Sequence, residues 1–218
     1  MRIRFAFCGM ALTAALFPAF ANEPPEESLP ELPQALPQEA LPSEAFPAPD
    51  TALSSGEKQH NRIDALFGQL KRERNEKAAE RIASRIWEEW SRSGSASIDL
   101  MMGWSKNAID SKKFDVALDF LDQVVTMRPD YAEGWNRRAT VHFMMHNYAK
   151  SMSDIGHTLE IEPRHFGALS GMGQIMKTTG RDELALQAWQ RVLDVYPMMR
   201  SAQNEVATLS EELAGEGI

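Results

Sequence analysis

Three prolines recur at one fixed interval in the second half of the chain. Pro129, Pro163 and Pro197 are evenly spaced. Proline has no amide hydrogen and interrupts helices, so an interval of about 34 residues indicates one helical unit repeated in tandem. With each proline taken as position 32 of its unit, the units span residues 98–131, 132–165 and 166–199.

Side-chain size also recurs within these units. Position 8 is small in all three units and so is position 20, whereas positions 4 and 24 are bulky. The small residues are Ser105, Ala139 and Gly173 at position 8 and Ala117, Ser151 and Ala185 at position 20. The bulky residues are Met101, Trp135 and Leu169 at position 4 and Leu121, Ile155 and Trp189 at position 24. Small residues allow two antiparallel helices to approach closely, and the bulky residues fill the space between them.

This pattern resembles the tetratricopeptide repeat (TPR), in which Trp-x2-Leu-Gly-x2-Tyr, Ala-x3-Phe and Pro recur over about 34 residues. Arg138 at an apolar position and His142 in place of the tyrosine depart from the pattern. The resemblance implies an all-α fold, a TPR-like right-handed superhelix of about four helix-turn-helix repeats. The order of the repeats, the tryptophan-rich first unit and the proline-rich leader also resemble, more loosely, TPR proteins of an exported bacterial type.

The frame extends in both directions from these three units. Backward, it predicts a degenerate first repeat at residues 64–97, with Phe67, Ala83, Trp87 and Trp90 at repeat positions. Forward, apolar residues spaced three or four apart predict an amphipathic capping helix at residues 200–214. The resemblance thus covers residues 64–214.

The N-terminal stretch, residues 1–21, has the pattern of a secretory signal peptide. Arg2 and Arg4 precede an apolar run at residues 5–17, and Ala19-Phe20-Ala21 provides small residues for cleavage after Ala21. We therefore expect a periplasmic or secreted protein with no stable membrane span after signal removal; the alternative is a retained anchor. Cys8 is the sole cysteine, so the mature chain would contain none.

Residues 22–58 form a proline-rich, acidic stretch. Eight of the twelve prolines lie between Pro24 and Pro49, several of them after a leucine. Too little apolar surface is present to offset chain entropy, so the composition predicts a disordered linker with polyproline II character. Its Leu-Pro pairs are interpreted as a stiff spacer, with a docking motif as the alternative.

Several function classes are disfavoured by composition. A formal net charge of -8 argues against nucleic acid as a partner, because phosphate binding needs a cationic face. No nucleophile-base pair or phosphate loop stands out, so we predict no enzyme activity and no cofactor. His142 and His146 are spaced to share a metal ion, but they lack further ligands, and the twelve methionines suit core positions, so no metal site is predicted.

The resemblance also implies where a partner would bind. In this family the first helices of successive repeats line a concave groove that holds an extended peptide or a partner helix. The predicted peptide-binding groove residues are Lys106, Asn136, Arg137, Thr140, Phe143, Gln174 and Lys177.

One binding mode of the family does not fit these positions. Chaperone-binding members hold a C-terminal carboxylate with lysine, asparagine and arginine. Those positions, counted from residue 98, carry Met102, Lys106, Arg137, Gly167 and Gly171, and counting from residue 64 does not restore the set. We therefore predict a non-catalytic scaffold for a protein or peptide in the cell envelope. A structural, oligomeric assembly component, including a homo-oligomer, is the alternative.

Overall fold

The structure is a computed structural model and describes residues 54–215. That range contains nine helices and no strand, which confirms the all-α class. The helices are α1 Ser55–Arg72, α2 Glu76–Trp90, α3 Ala96–Asp110, α4 Phe114–Met127, α5 Ala132–Met144, α6 Tyr148–Ile161, α7 Phe166–Thr178, α8 Asp182–Val195 and α9 Arg200–Gly215. The predicted signal peptide and residues 22–53 of the predicted linker lie outside the described residues.

Consecutive helices form antiparallel pairs that meet at the small residues. Ser105, Ala117 and Ala185 are fully buried between paired helices. A Cβ atom added to Gly173 would lie 2.7 Å from Nε1 of Trp189, so a larger residue at this position would separate α7 from α8. The side-chain sizes that define the repeat therefore fix the distance between helices within each pair.

The prolines lie in the turns between successive pairs. In each turn a backbone N–H donates to the carbonyl three residues earlier, from Tyr131 to Arg128, His165 to Glu162 and Met199 to Tyr196, at 3.1 Å each. Proline occupies the second position of each turn, where its fixed φ is favourable. These turns connect α4 to α5, α6 to α7 and α8 to α9.

The turns inside three pairs share an unusual backbone conformation. Lys112, His146 and Gly180 have φ values of 57°, 59° and 67°, and they recur at the same interval as the prolines. A left-handed residue at this point allows the next N–H to reach back and cap the preceding helix. Only Gly180 adopts this conformation without steric cost, because lysine and histidine carry a Cβ atom.

The first pair, α1 and α2, lies four residues earlier than the predicted frame. The second helix of every other pair begins at position 17, whereas α2 begins at Glu76 instead of residue 80. Counted from His60, the buried Ile63, Leu66 and Leu70 occupy positions 4, 7 and 11. The predicted repeat at residues 64–97 is therefore corrected to a unit starting at residue 60. Four additional residues before α3 break the period, and a fixed-interval search cannot detect them.

The predicted linker also ends earlier than expected. Residues 55–58 belong to α1, because Ser54 and Glu57 form a capping box. The Ser54 hydroxyl accepts the Glu57 N–H at 3.2 Å, and the Glu57 carboxylate accepts the Ser54 N–H at 2.7 Å. Such reciprocal bonds start a helix at the serine.

The first pair packs against the far end of the chain instead of against its sequence neighbour. One core cluster joins Ile86 and Trp90 to Phe166, Trp189 and Leu209, whereas α3, α4 and α5 share a separate cluster. α1 contacts α8, and no comparable contact joins α2 to α3 among the described residues.

Two ion pairs tie the first pair to this location. Asp64 accepts from Arg164 at 2.8 Å, and Glu76 accepts from Arg200 at 2.8 Å. The remaining pairs stack in sequence, and α9 packs on α8 through Ala202 and Leu209. None of the described helices is both long enough and apolar enough to cross a membrane.

The left-handed turn residues give a direct stability test. Lys112→Gly should raise the free energy of unfolding by about 1 kcal/mol, because glycine adopts a positive φ without the Cβ clash. The matched change Gly180→Ala should lower it by about the same amount. Urea denaturation of both variants measures this, and a loss of stability in Lys112→Gly would contradict the assigned turn.

Candidate functional site

An apolar pocket opens between α5, α6 and α7. Its volume is about 140 Å³. We call it the groove pocket; its lining is Asn136, Ala139, Thr140, Phe143, Ser151, Ile155, Gly167, Ala168 and Gly171. Cofactor and drug sites usually measure about 300–1,000 Å³, so this pocket suits one apolar side chain.

Three of the predicted groove residues meet at the groove pocket. Asn136, Thr140 and Phe143 lie on successive turns of α5 and all line it. The Asn136 amide donates to Glu133 at 2.9 Å, and the Thr140 hydroxyl donates to the Asn136 carbonyl at 3.0 Å. One N–H of the Asn136 amide and the Thr140 hydroxyl proton are thus already engaged, which leaves the second N–H and the side-chain oxygen of Asn136 for a bound chain.

The charged residues of the predicted set form contacts within the chain. Arg137 donates to Glu133 at 2.9 Å and to the Met102 carbonyl at 3.2 Å. Lys177 donates to Glu205 on α9 at 2.6 Å.

The two remaining predicted residues lie outside the pocket lining. Lys106 donates to Asp110 one turn later in α3, and Gln174 is half-buried on α7. The structure therefore groups three of the seven predicted residues and separates the other four from the groove pocket.

The α2 helix contacts Gly167, one of the residues that line the groove pocket. The Trp87 ring lies over Gly167, where an added Cβ atom would be 2.8 Å from Cη2. The Trp90 ring stacks on His165, with centroids 4.0 Å apart and planes 10° from parallel. Gly167 occupies a position that carries lysine in carboxylate-binding repeats, and here an aromatic ring of the same chain covers it.

A buried polar cluster lies beneath this contact. The His165 ring accepts the Ala168 N–H at Nδ1, at 3.2 Å, so its Nε2 carries the proton and lies 3.4 Å from the Glu133 carboxylate. Glu133 also accepts from Asn136 and Arg137. Burial by itself raises the pKa of the Glu133 carboxyl, but His165, Arg137 and Asn136 outweigh it and lower the pKa below 4.5.

The two histidines that share a metal-binding spacing in the sequence do not converge. His142 is buried in α5, and burial lowers its pKa. His146 lies past the end of α5 and its Nδ1 is 3.0 Å from the Tyr148 hydroxyl. Over residues 54–215, no three His, Cys, Asp or Glu side chains are grouped to hold a metal ion.

Sequence reasoning missed the contribution of α2 and of the turn before α7. Trp87, Trp90 and His165 were not among the predicted site residues, because the frame placed α2 at the end of the stack. Two glycines at positions 2 and 6 of α7, Gly167 and Gly171, were the available signal, since bare backbone there permits close approach.

The contact over Gly167 predicts opposite effects for two similar substitutions. Gly167→Ala should lower the free energy of unfolding by about 1–3 kcal/mol, because the methyl group overlaps the Trp87 ring. Gly171→Ala is the matched control: its Cβ atom would lie 3.4 Å from Ile155, and alanine favours a helix by about 1 kcal/mol over glycine. Thermal or urea unfolding distinguishes them; equal effects would argue against the position assigned to Trp87.

The lowered pKa of Glu133 predicts an acid-sensitive fold. A carboxyl whose pKa is lower in the folded state contributes stability above its unfolded pKa, and that contribution disappears as pH falls below about 4.5. Glu133→Gln should therefore be less stable at pH 7, by about 3 kcal/mol, and should lose less stability between pH 5 and pH 3. Urea unfolding across this range is the measurement, and parallel pH curves would contradict the assignment.

Sequence comparison finds TPR proteins. A TPR repeat-containing protein of Rhizobium etli is 57% identical over 162 residues, which cover 74% of this chain and 78% of that protein. Small glutamine-rich tetratricopeptide repeat-containing protein 2 of Saccharomyces cerevisiae is 27% identical over 117 residues, or 54% of this chain and 34% of that protein. No protein-family model matches the chain.

Solved structures show the same fold at low identity. The first TPR domain of Spaghetti (RPAP3), bound to the HSP90 peptide SRMEEVD, matches with a TM-score of 0.53 and 22% identity over 55% of this chain and 95% of that one. MamA matches with a TM-score of 0.51 and 14% identity over 75% of this chain and 86% of that one. The superhelix of helix pairs is thus confirmed, and this chain belongs to the tetratricopeptide repeat family.

Proposed function

We propose that the protein is a non-catalytic scaffold that binds an extended segment of a protein partner along α5 and α7. The observation that carries this proposal is the groove pocket, an apolar recess bordered by the Asn136 side chain. An apolar side chain of the partner enters the recess, and a backbone N–H beside it donates to the Asn136 oxygen. Main-chain bonds of this kind supply affinity, and the pocket supplies selectivity.

The partner is recognised through an internal segment and not through its terminal carboxylate. Gly167 and Gly171 offer no cation at the two positions where carboxylate-binding repeats have lysine and arginine. Arg137, on the same helix as Asn136, is paired through its side chain with Glu133. The likeness to the peptide-bound domain of Spaghetti therefore supports peptide binding in general, with a different anchor.

We also propose that the protein resides in the periplasm or outside the cell. Support comes from the sequence alone, namely Arg2, Arg4, the apolar run at residues 5–17 and the small residues before position 22. A partner of the cell envelope follows from that location. The alternative role of the protein is an oligomeric structural component of the envelope, which the exposed apolar side chains of Leu100 and Trp104 favour.

Photo-crosslinking at Thr140 tests the binding site. Thr140 lies at the mouth of the groove pocket, so a photoreactive amino acid there should crosslink to a discrete partner in intact cells. Thr126 is the matched control, because it is an exposed helical threonine whose hydroxyl also bonds the carbonyl four residues earlier, at 2.7 Å, but it lies on α4. The intact mass of the protein isolated from cells without crosslinking should lack residues 1–21.

The outcomes separate binding from location. Identical crosslinked species from Thr140 and Thr126, or none from either, would contradict a partner at the groove pocket. A mass that includes residues 1–21 would contradict export with cleavage and would leave the binding proposal intact.

A further inference from the structure

Each helix pair inside the stack covers one face of the pair that follows it. In the unit at residues 132–165, which is the third when the degenerate first repeat is counted, position 3 is Gly134. A Cβ atom added there would lie 2.8 Å from Val124 of α4. Position 7 is Arg138, which donates to Asp122 of α4 at 2.8 Å. Position 3 of the fourth unit, Ala168, is buried. Positions 3 and 7 are therefore stacking positions, covered by the preceding pair.

The same positions are exposed in the second unit. Leu100 and Trp104, at positions 3 and 7 on α3, expose 52% and 45% of their surface. Val116, at position 19 on α4, exposes 43%. The Trp104 ring lies 5.4 Å from the ring of Phe120. These four residues form one apolar patch across α3 and α4, which we call the bare stacking face.

The face is bare because the first helix pair is engaged elsewhere. Trp87 and Trp90 of α2 pack on His165 and Phe166, so they do not reach Leu100 or Trp104. Five residues join α2 to α3, with Gly94 at a φ of 77°, whereas four residues join the later pairs. Within residues 54–215, no other helix pair is therefore available to cover this surface.

We propose that the bare stacking face packs against the same face of a second copy of this chain, and that a two-fold axis relates the two copies. Continuity with the internal stacking contacts supports a helix pair as the occupant. The far end of the stack offers no matching surface, because α9 caps it with the exposed polar residues Thr208, Ser210, Glu211 and Glu212. Head-to-tail stacking is therefore disfavoured, and same-face pairing gives a closed dimer.

The charge distribution permits this pairing. None of the four residues of the face is charged, and the surrounding exposed residues carry both signs, with Lys112 and Lys113 beside Asp115 and Asp119. Like-charge repulsion therefore does not oppose two identical faces. Exposed apolar patches of this kind on a folded chain mark sites of association. The dimer is independent of peptide binding at the groove pocket, which lies between α5, α6 and α7.

Sedimentation of paired leucine variants tests the dimer. The protein is purified from its host, so that any signal cleavage has taken place. Its sedimentation mass should rise from that of one chain to that of two over a protein concentration of about 1–500 µM, a range suited to a small interface. Leu100→Lys should remain a single chain throughout. Leu184→Lys is the matched control, since Leu184 is a helical leucine with 46% exposure on α8, and it should dimerise like the wild type. Circular dichroism verifies that both variants fold.

A single introduced cysteine tests the two-fold arrangement. Gly103 is exposed between Leu100 and Trp104 and has no atom within 4 Å of an added Cβ. In a Cys8→Ser background, Gly103→Cys should form a disulfide-linked dimer on mild oxidation, whereas Gly156→Cys, an equally open position on α6, should not. A wild type that stays monomeric, or a dimer that survives Leu100→Lys, overturns the proposal.

Discussion

The packing of two tryptophans of α2 on the turn before α7 determines how the rest of the molecule is arranged. Trp87 lies against Gly167, and Trp90 stacks on His165. A buried aromatic side chain removes about 150–250 Å² from water, which corresponds to roughly 4–6 kcal/mol of gross transfer free energy at about 25 cal/mol per Å². The exposed ion pair between Asp64 and Arg164 contributes at most about 1 kcal/mol. The aromatic contact, and not the ion pairs, therefore fixes the position of the first helix pair.

This contact makes the protein differ from a simple solenoid. In a solenoid each repeat contacts its neighbours in sequence, and stability is a sum of local terms. Here α1 and α2 share a core cluster with α7, α8 and α9, so Ile63 near one end of the described chain and Leu209 near the other lie in the same cluster. The same arrangement places Trp87 against Gly167, which lines the groove pocket, and leaves the apolar residues Leu100 and Trp104 of α3 exposed. The bare stacking face is thus a consequence of this long-range contact.

The sequence predicted the parts of the fold that depend on local spacing. Pro129, Pro163 and Pro197 mark turns with the same hydrogen bond, and Ser105, Ala139 and Gly173 lie where paired helices approach. The first pair could not be placed, because four additional residues before α3 change both its register and its partner. At the site, the resemblance to the family predicted Asn136, Thr140 and Phe143 as groove residues, and the Arg137–Glu133 pair follows from their spacing of four residues on one helix. The pairing of Lys177 with Glu205 on α9 could not be predicted, because only the folded chain brings those two side chains together. The bare stacking face was equally hidden, because Leu100 and Trp104 occupy positions that are covered in the other repeats.

The most direct measurement is a nuclear Overhauser effect between the Trp87 indole ring and the Gly167 α-protons. The account predicts a strong effect, together with ring-current shifts of the Gly167 resonances, because the indole ring lies directly over that backbone. Effects from Trp87 or Trp90 to Leu100 and Trp104 instead would show that the first pair stacks on α3. That result would contradict both the packing of the first helix pair on α7 and the exposure of the bare stacking face.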